Sequence, residues 1–338
     1  MAEFVRTSQS ILKTAFTSFA FSLVLLQNVQ AFNTYPLPET VNTDSLFAKD
    51  SLHLQFDAQS GIPIPPAYCT TRQEKAGFIT RNWWKNTRPE DFYQYAHTEK
   101  AAEGEQRLVD FLSFLPLCDS INQQYSLNNL LTLAACSDST NKTYNWVNDL
   151  LEKYLWDEES PMYNETLYAF VLRYRAFRPE EEEGSKTRAA MLLPKLLQNQ
   201  TGTLPNDLLL GLPDGSETTL HELLRKPSQK AYTLLILYDL DCVVCQELID
   251  KITRISPQYP QLQVITIQLY KQNIPAWKSY IQQLPSLWIH TYDAKEAVFM
   301  EETYYMRSSS ALYLLDKQGT ILLKNAQIQT LQEYLSNH

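Results

Sequence analysis

The chain has 338 residues, 44% of them hydrophobic and 12% aromatic, which suffices for two packed cores and excludes a disordered protein. A formal net charge of −9 with no basic stripe argues against nucleic-acid binding, since neutralising a phosphate backbone needs clustered Lys and Arg. Eight glycines against twenty tyrosines are unlike a Gly-rich solenoid or a phosphate-loop enzyme.

The first residues read as a targeting segment. Arg6 and Lys13 supply a positive start, 15–26 is apolar, and Val29-Gln30-Ala31 offers small residues at a cleavage site. The apolar core is about a dozen residues, short of a membrane span. A secretory signal over 1–31, cleaved after Ala31, is expected, and the alternative is an uncleaved N-terminal anchor. Residues 32–73 follow as an irregular segment punctuated by Pro36, Pro38, Pro63, Pro65 and Pro66.

From 74 to 201 the pattern is helical. Leu108, Phe111, Leu112 and Leu115 share one face, and Leu127, Leu130, Leu131 and Ala134 repeat the spacing. So do Trp146, Leu150, Leu151, Tyr154 and Leu155, and then Leu167, Phe170, Val171 and Tyr174. Short connections between such faces predict a helical bundle. The run Pro179-Glu180-Glu181-Glu182-Glu183-Gly184 reads as a solvated surface turn between two helices. Trp83 and Trp84 read as core, and Cys118 and Cys136 as small buried apolar residues.

After Gly202 the period changes. A short strand at 208–210, a turn at Pro213-Asp214-Gly215-Ser216 and a Thr219-capped helical turn lead to a buried strand over 232–238. Cys242-Val243-Val244-Cys245 then opens a helix reaching Ile255. A β-branched strand at 263–269, a helix at 275–281, a hairpin built on 311–315 and 320–324, and a closing helix at 328–335 complete the order. Strands alternating with helices describe a central mixed sheet flanked by helices. His221 and His290 read as surface or turn residues, and Trp277 as core.

Two thiols two residues apart at a helix N-terminus, directly after a strand, are the arrangement for dithiol–disulfide exchange. The helix dipole favours the thiolate of the first. Cys242 and Cys245 are the candidate catalytic residues. No second CxxC and no neighbouring pair of His supports a zinc site, and no metal or other cofactor is expected. Glu247 reads as a solvated helix-face carboxylate. Asp239 and Asp241 oppose the thiolate of Cys242 while the helix end favours it, so only a mild gain in acidity is expected.

The order of elements over 204–338, with the Leu-Pro-Asp-Gly-Ser stretch, the strand before the CxxC and Leu314-Leu315-Asp316-Lys317-Gln318-Gly319, resembles the thioredoxin fold in its exported redoxin or TlpA-like branch. Upstream, Glu152-Lys153-Tyr154-Leu155-Trp156-Asp157, Ser160-Pro161-Met162-Tyr163-Asn164-Glu165 and Leu167-Tyr168 resemble a helical module of unknown function that precedes thioredoxin-like domains in exported proteins of Bacteroidota. The resemblance implies an α/β thioredoxin-like domain at 202–338, preceded by an all-α helical bundle domain at 74–201. It also implies a periplasmic thiol–disulfide oxidoreductase, soluble or loosely envelope-associated, acting on protein dithiols and disulfides and supplied by a membrane-linked reductant. Such domains place a cis-proline beside the dithiol. Ser310 stands in that position here and is the candidate substrate-binding residue. The alternative is a non-catalytic envelope binding or scaffold protein on the same fold. A peroxide-reducing role, with Arg307 near the site, is less well matched because no Thr-x-x-Cys precedes Cys242.

Overall fold

A computed structural model describes residue 50, residues 54–226 and residues 229–337. The expected signal segment lies outside the described residues. The chain divides into two compact units, the first ending at Pro194 and the second beginning at Lys195.

The first unit is helical. Helices α1 (Arg72–Asn82), α2 (Pro89–His97), α3 (Ala101–Phe114), α4 (Ser120–Cys136), α5 (Lys142–Leu155), α6 (Glu165–Phe177) and α7 (Glu183–Leu196) follow in order. Local chemistry starts them. Thr71 and Glu74 form a reciprocal capping box on α1, and Asp119 and Asn164 accept backbone N–H groups at the first turns of α4 and α6. The expected apolar stripes of α3 and α4 are all buried, Leu108, Phe111, Leu127 and Leu131 among them. On α5 the buried face is rotated toward Tyr144, Val147 and Leu151, which leaves Trp146 half-buried at the rim, where it meets Gly104. Trp83 and Trp84 are core residues, with the Arg107 guanidinium over both rings.

The acidic run at 179–184 is not a solvated turn throughout. It does join α6 to α7, but Glu181 is buried. Its carboxylate binds Arg175 Nε at 3.0 Å, lies 3.8 Å from Arg178 Nη1 and accepts the Tyr144 hydroxyl at 2.6 Å. Four consecutive glutamates look alike in sequence, and only the docking of two arginines and a tyrosine singles out one of them.

The second unit is a seven-stranded mixed sheet in the order β2-β1-β5-β4-β3-β6-β7. The strands are β1 (Leu209–Gly211), β2 (Glu217–Thr219), β3 (Tyr232–Tyr238), β4 (Leu262–Gln268), β5 (Ile289–Asp293), β6 (Ala311–Leu315) and β7 (Ile321–Leu323). Strands β3, β4 and β5 run parallel, and the remaining pairs are antiparallel. Alternation on β3 assigns its two faces: Leu235 and Leu237 enter one core, Leu234, Ile236 and Tyr238 the other. The first core is closed by α8 (Leu220–Arg225) and α11 (Ala297–Met300). The second is closed by α9 (Val243–Ile255), α10 (Ile274–Ile281) and α12 (Ile328–Asn337). Trp277 is fully buried in that second core and donates its indole N–H to the Tyr238 hydroxyl at 3.0 Å.

Strands β2 and β5 carry no apolar alternation and are not legible in the sequence. Strand β5 is polar yet buried, because its groups are satisfied in the sheet. Thr291 Oγ1 donates to the Thr266 carbonyl at 2.9 Å, and the Asp293 carboxylate accepts the Val298 N–H at 2.9 Å. His290 is therefore a strand residue, half-buried, with Nδ1 2.9 Å from Thr266 Oγ1, and burial lowers its pKa. His221 is also partnered, with Nε2 2.7 Å from the Pro205 carbonyl. Gly211 is required where it stands: a Cβ there would lie 2.1 Å from the Tyr292 ring that covers it across the β1–β5 pair.

Candidate functional site

Strand β3 ends at Tyr238, and the chain turns through Asp239-Leu240-Asp241 into α9. Leu240 is buried and anchors the turn, while the Asp239 carboxylate accepts the Asp241 N–H at 3.0 Å. Gln246 Nε2 donates back to the Leu240 carbonyl at 2.7 Å and ties the turn to the helix it precedes.

Cys242 is the N-cap of α9. Its sulfur accepts the Cys245 backbone N–H at 3.4 Å, doing what a Ser or Asp oxygen does at an ordinary helix start. It is half-buried, whereas Cys245, one turn on, is fully buried. The Cys245 thiol donates to the Ser309 carbonyl at 3.3 Å. The two sulfurs are not joined in a disulfide.

The two sulfurs differ in acidity. Hydrogen bonds from the Cys245 thiol and then the Cys245 N–H lower the Cys242 pKa, desolvation opposes them, and the Ser309 hydroxyl and the Val244 N–H add smaller lowering contributions. The mild gain expected from the sequence has this direction, although its main source is the second thiol. Burial, followed by the hydrogen bond to Cys242, pushes Cys245 up to about 11. Cys242 is thus the stronger acid of the two and Cys245 the weaker.

The loop at 307–310 faces the pair. Ser310 lies beside Cys245, where its hydroxyl favours the thiolate, and the described residues contain no cis peptide bond. Ser309, which the sequence does not single out, touches both sulfurs: its carbonyl receives the Cys245 S–H and its hydroxyl supports Cys242. Ser308 Oγ donates to the Ser310 carbonyl at 2.8 Å and steadies the loop. Ser309→Ala should make Cys242 a weaker acid. Loss of one hydrogen bond is worth roughly threefold to tenfold in thiolate at a fixed pH. Iodoacetamide alkylation of Cys242 at neutral pH should slow by that factor, with the pH midpoint moving upward. An unchanged profile would leave the Ser309 hydroxyl without a role.

A cleft of about 450 Å3 adjoins the loop that holds Ser309, lined by Asp239, the end of β4 at Leu269 and Tyr270, Phe299 of α11, and residues 304–309, with neither cysteine in its wall. Apolar side chains stand exposed around the site: Val243 at 68%, Val244 at 69% and Phe299 at 65%.

The other cysteines are elsewhere. Cys69 and Cys118 are buried and free; Cys118 accepts or donates a hydrogen bond with Thr80 at 3.4 Å. Cys136 is exposed, contrary to the expectation of a buried residue, because it terminates α4 on its outer side. Cys118 lies two residues before α4 and Cys136 is its last residue, so the length of the helix, on the order of 24 Å at 1.5 Å per residue, separates them and they cannot bridge. Glu247 is exposed. Among the described residues no group of three His, Cys, Asp or Glu side chains could hold a metal ion, and no helix is long and apolar enough to cross a membrane.

A dithiol at the first turn of a helix, after an interior strand of a mixed sheet with helices on both faces, defines a thioredoxin-like domain. Comparison with known proteins agrees. Residues 35–199 match the model of a family described as a domain of unknown function, DUF5106. A thioredoxin-like protein from Bacteroides caccae is 28% identical, with a TM-score of 0.65 covering 84% of this chain and all of that one. Two further structures match part of the chain. The C-terminal domain of an uncharacterized protein from Bacteroides fragilis is 27% identical over 41% of this chain and 98% of that one, with a TM-score of 0.36. The thioredoxin domain of a thiol-disulfide oxidoreductase from Bacteroides vulgatus is 16% identical over 41% of this chain and 96% of that one, with a TM-score of 0.35. No curated protein matches the chain. Residues 35–199 are thus similar to that domain of unknown function, and the second unit has a thioredoxin-like fold.

Proposed function

We propose that the protein is a thiol–disulfide oxidoreductase that exchanges disulfides with protein thiols through Cys242 and Cys245. The observation that carries this reading is the split pair: a half-exposed sulfur with its pKa lowered, one helical turn from a buried sulfur held protonated.

In the reducing direction the Cys242 thiolate attacks one sulfur of a partner disulfide. The partner S–S bond breaks, a Cys242–partner disulfide forms and the other partner sulfur leaves as thiolate. Cys245 then gives its proton to solvent and attacks Cys242 Sγ. The partner leaves with two thiols, and the enzyme keeps a Cys242–Cys245 disulfide. Two electrons pass to the substrate, and an external dithiol must return them. We assign that supply to a membrane-linked reductant and place the protein in the periplasm, exported by a cleaved signal over 1–31. The exposed Val243, Val244 and Phe299 and the adjacent cleft suit a polypeptide substrate better than a small polar thiol. Residues 202–338 would carry this chemistry, with 74–201 as a separate helical domain.

Dithiothreitol-driven reduction of insulin by the purified chain is the test. The chain should accelerate it, and Cys242→Ser should return the rate to background. An inactive parent whose Cys242–Cys245 disulfide resists mild reductant would leave a binding or scaffold protein instead.

A further inference from the structure

The helical unit carries three arginines near the end of α6, Arg173, Arg175 and Arg178, and only two are neutralised. Arg175 and Arg178 share the buried Glu181, and Arg178 is further held by the Asn141 side chain at 2.9 Å and, at 3.8 Å, by Glu180. Arg173 is half-buried, and among the described residues it makes no hydrogen bond or ion pair. Partial withdrawal of a guanidinium from water without a counter-charge is destabilising, and an anionic ligand would relieve that cost.

Arg173 lines a cleft of about 620 Å3 where α4 packs on α6. That size is usual for a small-molecule site. Gln124, Asn128 and Thr132 recur every four residues along α4 and so line one wall. The Gln124 and Asn128 amides have no hydrogen-bond partner among the described residues. The opposite wall presents Tyr174, whose hydroxyl lies 3.2 Å from Thr132 Oγ1, and Phe177, 57% exposed one turn beyond Arg173. Desolvation is the one cause acting on the Arg173 pKa, which it lowers, in keeping with the missing counter-charge.

We propose that this cleft binds an organic monocarboxylate with an apolar or aromatic body, its carboxylate paired with Arg173 and its body against Tyr174 and Phe177. The charge count favours a carboxylate over a phosphate. One guanidinium is uncommitted, and Glu180 on the rim repels a second negative charge. The carboxylate could come from a small acid or from a polypeptide C-terminus, and the same measurement separates these sources.

The full chain is titrated calorimetrically with 3-phenylpropionate, with a pentapeptide ending in a free phenylalanine carboxylate, with the amides of both and with inorganic phosphate. Saturable binding of a carboxylate is expected, weakened at least tenfold in the amide and at least tenfold by Arg173→Gln. Peptide binding tenfold tighter than phenylpropionate identifies a chain terminus, and similar affinities identify a small acid. The proposal fails if neither carboxylate saturates, if the amides or phosphate bind equally well, or if Arg173→Gln leaves affinity unchanged. Thermal melting supplies a second arm that needs no ligand. Arg173→Met should melt at the same or a higher temperature, whereas a fall of several degrees would assign Arg173 a structural role and overturn the proposal.

Discussion

Cys245→Ser should convert a transient intermediate into a stable covalent complex. Cys242 remains able to attack, but the sulfur that releases the partner is gone. Release by Cys245 is intramolecular, and well-oriented intramolecular reactions have effective molarities of about 10⁵ M or more. An external thiol at millimolar concentration cannot match that, so the mixed disulfide should persist on the order of 10²-fold longer or more. Non-reducing electrophoresis should show a band containing both proteins, absent in Cys242→Ser/Cys245→Ser and abolished by excess reductant. No band with any disulfide substrate would remove Cys242 from the role of attacking thiol. The parent protein adds a pH signature. Because the Cys245 pKa is raised to about 11, its thiolate is scarce at neutral pH. Release of the partner should therefore accelerate as pH rises, by about tenfold per unit while pH stays well below that pKa. Initial attack should level off at a lower pH, since the Cys242 pKa is shifted the other way.

Glu181→Ala should cause the largest loss of stability in the helical unit. The carboxylate is 3% exposed, and its partners Arg175 and Arg178 are 15% and 10% exposed. Removing it strands the mostly buried Arg175 guanidinium and the Tyr144 hydroxyl, and leaves Arg178 to Asn141 and Glu180 alone. Breaking a buried pair from one side costs about 3–5 kcal/mol. For a unit of this size that is a fall in melting temperature of about 10 °C. Far-UV circular dichroism of the full chain would read it. Glu181→Gln keeps an acceptor for Tyr144 but no charge and should fall between the two. Alanine at Glu182 or Glu183, which make no comparable contacts, should shift melting little. A melting curve unchanged by Glu181→Ala would mean the arginines rehydrate freely, and the buried network would not organise the α6–α7 connection.

The elements that were legible in the sequence are those whose order is set by hydrophobic period and local chemistry. The stripe on α3, the Thr219 cap of α8, the apolar run of β3 and the Gly319 turn with φ +84° each depend on neighbours within a few residues. What escaped detection depends on distant partners. Strand β5 is polar and is held in the sheet by Thr266 and its own backbone pairing. Glu181 differs from Glu180 and Glu182 only in what packs against it. Cys118 and Cys136 look equivalent in composition, yet one is buried beside Thr80 and the other ends a helix facing water.

The candidate site divides in the same way. The sequence alone determined that two thiols sit at a helix start after a buried strand, because spacing and apolar pattern are local properties. Only the tertiary structure decided how the two thiols differ. It brings Ser309 and Ser310, more than sixty residues away, against both sulfurs, buries one and leaves the other at the surface. Acidity is a property of surroundings, and those surroundings are assembled when β6 pairs with β3 and carries its preceding loop to the tip of α9.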